Sequence, residues 1–313
     1  MLTTMRIFGF TRYGGPDVGE LMDVPAPHLS DDPAHRHVLV DMLATTVNPA
    51  DIKVREGQRR GKVEVHLPMA MGREAAGRVI AASPSTGFQA GDLVVGGTAS
   101  GNGSYAEQVE LDAAQTALIP DGVSPEQAAC VPVAAGTAWD GLHELRELGL
   151  SDGGTVIVLG AGGGVGHAVV QLARHLGHRV IGVASASKKD LVTSLGGEFV
   201  VSGEGWVDRV RDAVGADTDD DAGSVAIFDT VGPPVLDDLT AAVPVADGLV
   251  RSTAGGPSIA RRRTTAVFTE ILELITSGTV SSHISAVHRL EDAAAAVAAV
   301  EDGHTAGKVI IVT

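Results

Sequence analysis

The chain has 313 residues, enough for about two domains with buried cores. Its 39 Asp and Glu against 23 Lys and Arg leave a net charge of −16, which argues against nucleic acid or an anionic membrane as principal partner. With no charged-then-apolar leader, no apolar run near ~18 residues and a single cysteine, Cys130, the expectation is a cytoplasmic protein without an internal disulfide or cysteine-based zinc cluster.

Residues 1 to about 125 carry short β-rich runs at 37–43, 77–82, 93–95 and 105–109. Gly14-Gly15-Pro16, Pro25-Ala26-Pro27, Ser83-Pro84 and Gly101-Asn102-Gly103 punctuate them. No βα alternation occurs here, so a compact, partly open β barrel or sandwich is expected. Ser124-Pro125-Glu126-Gln127 then opens a helix, with a serine cap and proline in the first helical position. Cys130 reads as a packed, inert thiol at that helix's end. Strands predicted at 155–159, 179–184, 198–201, 225–228 and 247–251 alternate with helical stretches, the pattern of a doubly wound parallel sheet. The acidic run 217–221 reads as a solvated loop. A helix at 267–277, an alanine-rich helix at 291–300 and a strand Lys308–Val312 follow.

The richest motif is TVIVLGAGGGVG at 155–166. A β-branched run meets a glycine turn, and a helix with Val165, Val169, Leu172 and Leu176 on one face follows at once. Side-chain-free residues before a helix N-terminus let a pyrophosphate reach the backbone N–H groups, so Gly163, Gly164, Val165 and Gly166 are candidate dinucleotide contacts. The first glycine of the strict fingerprint is replaced by Ala161. An NAD-preferring unit carries a carboxylate some ~20 residues on, to bind the ribose 2′-hydroxyl. Here the second strand ends in Val183-Ala-Ser-Ala-Ser-Lys-Lys-Asp190. Ser185, Ser187 and Lys188 offer hydroxyls and a cation suited to a 2′-phosphate, which favours NADPH; Asp190 and a merely solvated Lys188-Lys189 are the competing readings.

Several blocks carry a resemblance: Val47-Asn-Pro-Ala-Asp-Ile-Lys-Val-Arg-Glu-Gly57, Gly72-Arg-Glu-Ala-Ala-Gly-Arg-Val79, Gly91-Asp-Leu-Val94, Gly103-Ser-Tyr-Ala-Glu107 and Ile119-Pro-Asp-Gly-Val-Ser124. With the glycine turn, Asp229-Thr-Val-Gly232 and Gly307-Lys-Val-Ile310, they resemble the zinc-free quinone oxidoreductase (zeta-crystallin-like) branch of the medium-chain dehydrogenase/reductase superfamily. The resemblance implies a GroES-like catalytic domain from 1–124 and 262–313 around a Rossmann NADP-binding domain at 125–261. It puts the active site in the cleft between them. Zinc-dependent relatives carry Cys and His where Asn48 and Arg73 stand, and an amide and a permanent cation are poor zinc ligands, so no metal is expected.

The implied reaction is NADPH-dependent hydride transfer to a quinone or α,β-unsaturated carbonyl. Lys53 is the candidate electrophile, in place of the tyrosine many quinone oxidoreductases carry; a surface pair with Asp51 or Glu56 is its competing role. Asn48 is expected either to donate its amide to the acceptor carbonyl or to cap a turn. Asp51 is expected to orient Lys53 or bind a ribose. Thr137, Thr253, Ala254 and Lys308 match positions near the nicotinamide; an ordinary helix-face threonine and the start of the final strand are the competing readings of Thr137 and Lys308. Tyr105 reads as packing or proton donation. The segment 252–267 is shorter than the family's usual dimerisation strand, so a homodimer is the default without its familiar interface, and the three arginines in 254–263 read as a solvated turn or a phosphate contact. Rival functions are an enoyl-thioester reductase of a biosynthetic pathway and a non-catalytic NADPH-binding sensor or scaffold.

Overall fold

The computed structural model describes residues 4–30, 35–215, 224–246 and 248–313, so the acidic run 217–221 and Asp247 lie outside the described residues. Two compact units emerge. The first comprises Met1–Val133, Arg263–Gly278 and Ile284–Thr313; the second comprises Ala134–Arg262 and Thr279–His283.

The first unit opens with β1 (Thr4–Phe10), β2 (Glu20–Pro25) and β3 (His37–Thr46), then α1 (Pro49–Arg55). β4 (Met69–Ala70), β5 (Glu74–Ala82), β6 (Leu93–Thr98), β7 (Gln108–Leu118) and α2 (Pro125–Ala129) follow. β3 pairs with both β5 and β7, and β6 joins those two, so four antiparallel strands close on themselves. Along β7 buried and less buried residues alternate, as a strand with one face on a core requires. Ile7, Phe10, Met42, Tyr105 and Leu111 share the apolar core of this unit. The run expected at 105–109 divides: Tyr105 precedes the strand, and its amide and carbonyl bond instead to Met71 and Phe8.

The second unit carries α3 (Gly136–Glu147), β8 (Thr155–Leu159), α4 (Gly166–His175), β9 (Arg179–Ala184) and α5 (Lys189–Ser194). β10 (Glu198–Val201), α6 (Trp206–Val214), β11 (Val225–Asp229), α7 (Val235–Ala242) and β12 (Val250–Ser252) complete it. The strands run parallel in the order β10-β9-β8-β11-β12. Every residue of β8 is buried, which is why its β-branched run lacks alternation. Gln171 on α4 clamps the 279–283 segment: its side-chain oxygen accepts from the Ser281 amide and its nitrogen donates to the Ser281 carbonyl, both at 2.9 Å.

The chain then returns to the first unit through α8 (Thr265–Thr276), β13 (Ile284–Arg289), α9 (Ala293–Glu301) and β14 (Lys308–Val312). β14 pairs antiparallel with β3 and parallel with β13. An ion pair ties α9 to α1. The Arg55 guanidinium, 2% exposed, donates to Glu301 Oε1 at 2.6 Å and to the Gly14 carbonyl at 3.3 Å. Removing one partner strands a buried charge, so Glu301→Ala should cost about 2–3 kcal/mol, discounted for the partial exposure of Glu301. Denaturant unfolding of the whole chain checks this; an unchanged midpoint would refute it.

Candidate functional site

In the second unit the turn between β8 and α4 is close-packed backbone. Gly160 adopts φ +79, its carbonyl accepts from the Gly163 amide at 2.9 Å, and a Cβ on Gly166 would lie 2.1 Å from that carbonyl. Only glycine brings α4 this near, leaving its first N–H groups facing the turn. His167 is buried; its Nδ1 lies 2.9 Å from the Gly163 carbonyl and its Nε2 accepts from the His283 amide at 3.3 Å. Those partners assign the neutral form protonated at Nδ1.

Lys188 lies against the same turn. A Cβ on Gly162 would stand 2.4 Å from Lys188 Cδ, so the lysine stem crosses the glycine's bare face. Partial burial lowers the pKa of its ammonium. Ser185 and Ser187 are exposed beside it with hydroxyls 3.2 Å apart. Asp229, fully buried at the end of β11, accepts from the amides of Val231 and Gly232 and from Ser252 Oγ. The Thr253 amide bonds the Asp229 carbonyl and that of Ala254 bonds Ser252 Oγ, so both predicted residues sit on this hub. Thr137 Oγ is buried with no hydrogen-bond partner among the described residues, an orphan a bound polar group would satisfy. A glycine turn at a helix N-terminus, two hydroxyls and a cation fit a phosphorylated dinucleotide.

The first unit gathers a buried polar network where β3 runs into α1. Asn48 Nδ2 donates to Glu74 Oε1 at 2.8 Å and to Thr46 Oγ1 at 3.2 Å, while Asn48 Oδ1 accepts from Lys308 Nζ at 2.7 Å. Glu74, fully buried, also accepts from Thr46 Oγ1 and, through its second oxygen, from the Val133 amide at 2.7 Å. Asp51 closes the first turn of α1 by accepting the Asn48 amide at 2.9 Å; it also takes Arg73 Nε at 2.7 Å and the Tyr105 hydroxyl at 3.1 Å. Burial, then the Asp51 carboxylate, push the Tyr105 pKa well up, so that hydroxyl stays a donor.

Two expectations change on these contacts, and a third residue finds a partner. Asn48 spends both amide hydrogens inside the network and leaves none for an acceptor carbonyl. Asp51 holds Arg73 and Tyr105, and does not orient Lys53. Lys308, 3% exposed, begins β14 and gives its ammonium to Asn48 Oδ1, with Glu74 3.9 Å away. Lys53 is half-buried on α1 and forms no ion pair among the described residues. Glu74 and Thr46 escaped the sequence reading, although a lone glutamate opening the apolar run Glu-Ala-Ala-Gly-Arg-Val-Ile was the available signal.

The arginine-rich segment is also partnered. Asp140, Glu144 and Glu147 line one face of α3. They accept from the Arg262 amide at 2.7 Å, the Ala260 amide at 2.6 Å and the Arg262 guanidinium at 2.6 Å, respectively, and Glu144 also pairs with Arg251. The segment is thus a strap along the helix, not a free basic patch.

Residues 34–121 match the alcohol dehydrogenase GroES-like domain and residues 187–311 match the family described as zinc-binding dehydrogenase. The 2-methylene-furan-3-one reductase of Solanum lycopersicum is 33% identical over 208 residues, 63% of this chain and 52% of that protein. Polyketide synthase GfsB of Streptomyces halstedii is 45% identical over 130 residues, 41% of this chain and 2% of the synthase. The chain's match thus spans about half the length of the plant reductase. Two solved structures, a mycobacterial quinone oxidoreductase and a mycobacterial protein complexed with NADPH, are each 28% identical over 99% of this chain and 100% of theirs, with TM-scores of 0.78 and 0.81. The chain belongs to the medium-chain dehydrogenase/reductase superfamily. Within it, the chain falls in the quinone oxidoreductase-like branch.

The family description raises zinc, and the residues present do not fit it. Asn48 offers an amide already engaged and Arg73 a cation paired with Asp51. Truncating Asn48→Ala would leave the Lys308 ammonium and Glu74 without their bridging amide. We expect a loss of about 2–4 kcal/mol in denaturant unfolding. A loss under 1 kcal/mol would mean that the network is not a structural keystone.

Proposed function

We propose that this chain is an NADPH-dependent, zinc-independent reductase of α,β-unsaturated carbonyls or quinones. The observation that carries the reading is Lys188 laid across Gly162, beside the glycine turn and the hydroxyls of Ser185 and Ser187. A 2′-phosphate there would offset the partial desolvation of its ammonium. The NADPH complex of a 28% identical structure and the 2-methylene-furan-3-one reductase among the relatives support the same assignment. NADPH, when bound, supplies the hydride. The side chains here do the rest: Gly163, Gly164, Val165 and Gly166 seat the pyrophosphate, and Thr137, Thr253 and Ala254 border the nicotinamide. Lys53 Nζ holds the negative charge that develops on the acceptor oxygen.

Zinc-independence is supported by the engaged amide and paired guanidinium at positions 48 and 73. A cytoplasmic homodimer completes the reading. Reduction of an enoyl thioester is the second reading, favoured by the polyketide synthase match.

NADPH consumption should begin on adding an enone or a quinone; none with enones, quinones or enoyl thioesters would overturn the proposal. Lys53→Ala should lower kcat by roughly 10²-fold with little change in the KM for NADPH. Lys188→Ala should raise that KM by about 10-fold or more and leave NADH unaffected. Gly162→Ala, which displaces the lysine stem, should do the same more weakly.

A further inference from the structure

The parallel sheet of the second unit ends in a strand that another chain could lengthen. β12 is the outer member of the order β10-β9-β8-β11-β12, and its three residues pair with β11 on one side. The amides and carbonyls on the other side of such an edge are a template for a further strand, most readily from an identical copy related by a two-fold axis. No further strand follows β12 in this sheet among the described residues.

What lies on that edge is the strap. The Ser252 amide donates to the Pro257 carbonyl at 2.7 Å, and Ser252 and Ser258 form a single parallel bridge. The strap is packed there, not draped. A Cβ on Gly256 would stand 2.9 Å from Ser252 Cβ and 2.6 Å from Leu236 Cδ2, so only glycine lets the backbone come this close. Further along, Ile259 sits over α3, where a Cβ on Gly141 would stand 2.9 Å from Ile259 Cδ1. Glu144 then holds strap and strand together: one of its oxygens accepts from the Ala260 amide at 2.6 Å and the other from Arg251 Nε of β12. Asp140 takes the Arg262 amide at 2.7 Å. The strap itself is a poor template for a further strand, since Pro257 has no amide hydrogen and Arg261 and Arg262 are exposed charges.

We propose that residues 253–262 are a built-in cover that closes the β12 edge in cis, so that the parallel sheet cannot be continued into a second copy of the chain. This goes beyond the reductase reading and does not depend on it. The homodimer of that reading is then joined through another surface.

Amide exchange read by mass spectrometry tests this on the whole chain, across a roughly 100-fold range of protein concentration. Protection of the peptide spanning 251–262 should be the same throughout. Glu144→Ala, which removes the acceptor of the Ala260 amide, should speed exchange there by about 10-fold or more at every concentration. Ile259→Ser, which leaves each ion pair in place, should also speed it, and carries the test if Glu144→Ala unfolds the second unit. Ser258→Arg puts a long charged side chain at an exposed position of the covered edge and should leave the sedimentation coefficient unchanged. Protection that grows with concentration, exchange in both Glu144→Ala and Ile259→Ser equal to that of the unmodified chain, or a lowered sedimentation coefficient in Ser258→Arg would each overturn the proposal.

Discussion

A carboxylate and an ammonium are buried together around one amide, and the first unit is organised by that fact. Glu74 and Lys308 each lie almost wholly out of solvent, and desolvating either alone is costly. Asn48 makes their burial tolerable by donating to one and accepting from the other. The same residue begins α1, with Asp51 holding its amide, so the direction in which that helix leaves β3 follows from satisfying buried charges. Lys53 inherits its position from it. The second carboxylate oxygen of Glu74 reaches the Val133 amide, which anchors the chain where it leaves the first unit.

The same network engages the two positions at which the family resemblance raises zinc. At positions 48 and 73 this chain has an amide spanned by its own ammonium and a guanidinium on its own carboxylate. Positive charge is still present there, but it belongs to side chains. Lys53 is the one cation of this neighbourhood not consumed by a structural partner among the described residues.

Legibility in the sequence followed the range of the forces. The parallel strands Thr155–Leu159 and Arg179–Ala184 were readable because near-continuous burial and flanking turns write themselves locally. β1 and β2 were missed: β1 shows no alternation, and β2 alternates only through Met22 and Val24, too short a stretch to stand out. Residues 49–55 were recognised as a block but not by their contacts, since the partners of Asn48 lie 26 and 260 positions away. Asp51 was assigned to Lys53 because the two are neighbours in sequence, whereas its cation comes from Arg73, 22 positions on. Arg262 read as part of a solvated turn or phosphate contact for the same reason, because Asp140 and Glu147, which accept from it, sit over a hundred positions earlier on α3.

The 260 positions between Asn48 and Lys308 also bear on how the molecule is made. During synthesis β3, α1 and β5 emerge early, yet the ammonium that balances Glu74 and the strand that covers one edge of β3 arrive only after the whole parallel sheet has been translated. The nascent first unit must therefore wait with an open sheet edge and an unbalanced carboxylate, whereas all five strands of the parallel sheet are already out. Assembly inverts the order of the chain: the inserted unit is complete first, and the unit that begins the sequence is sealed last.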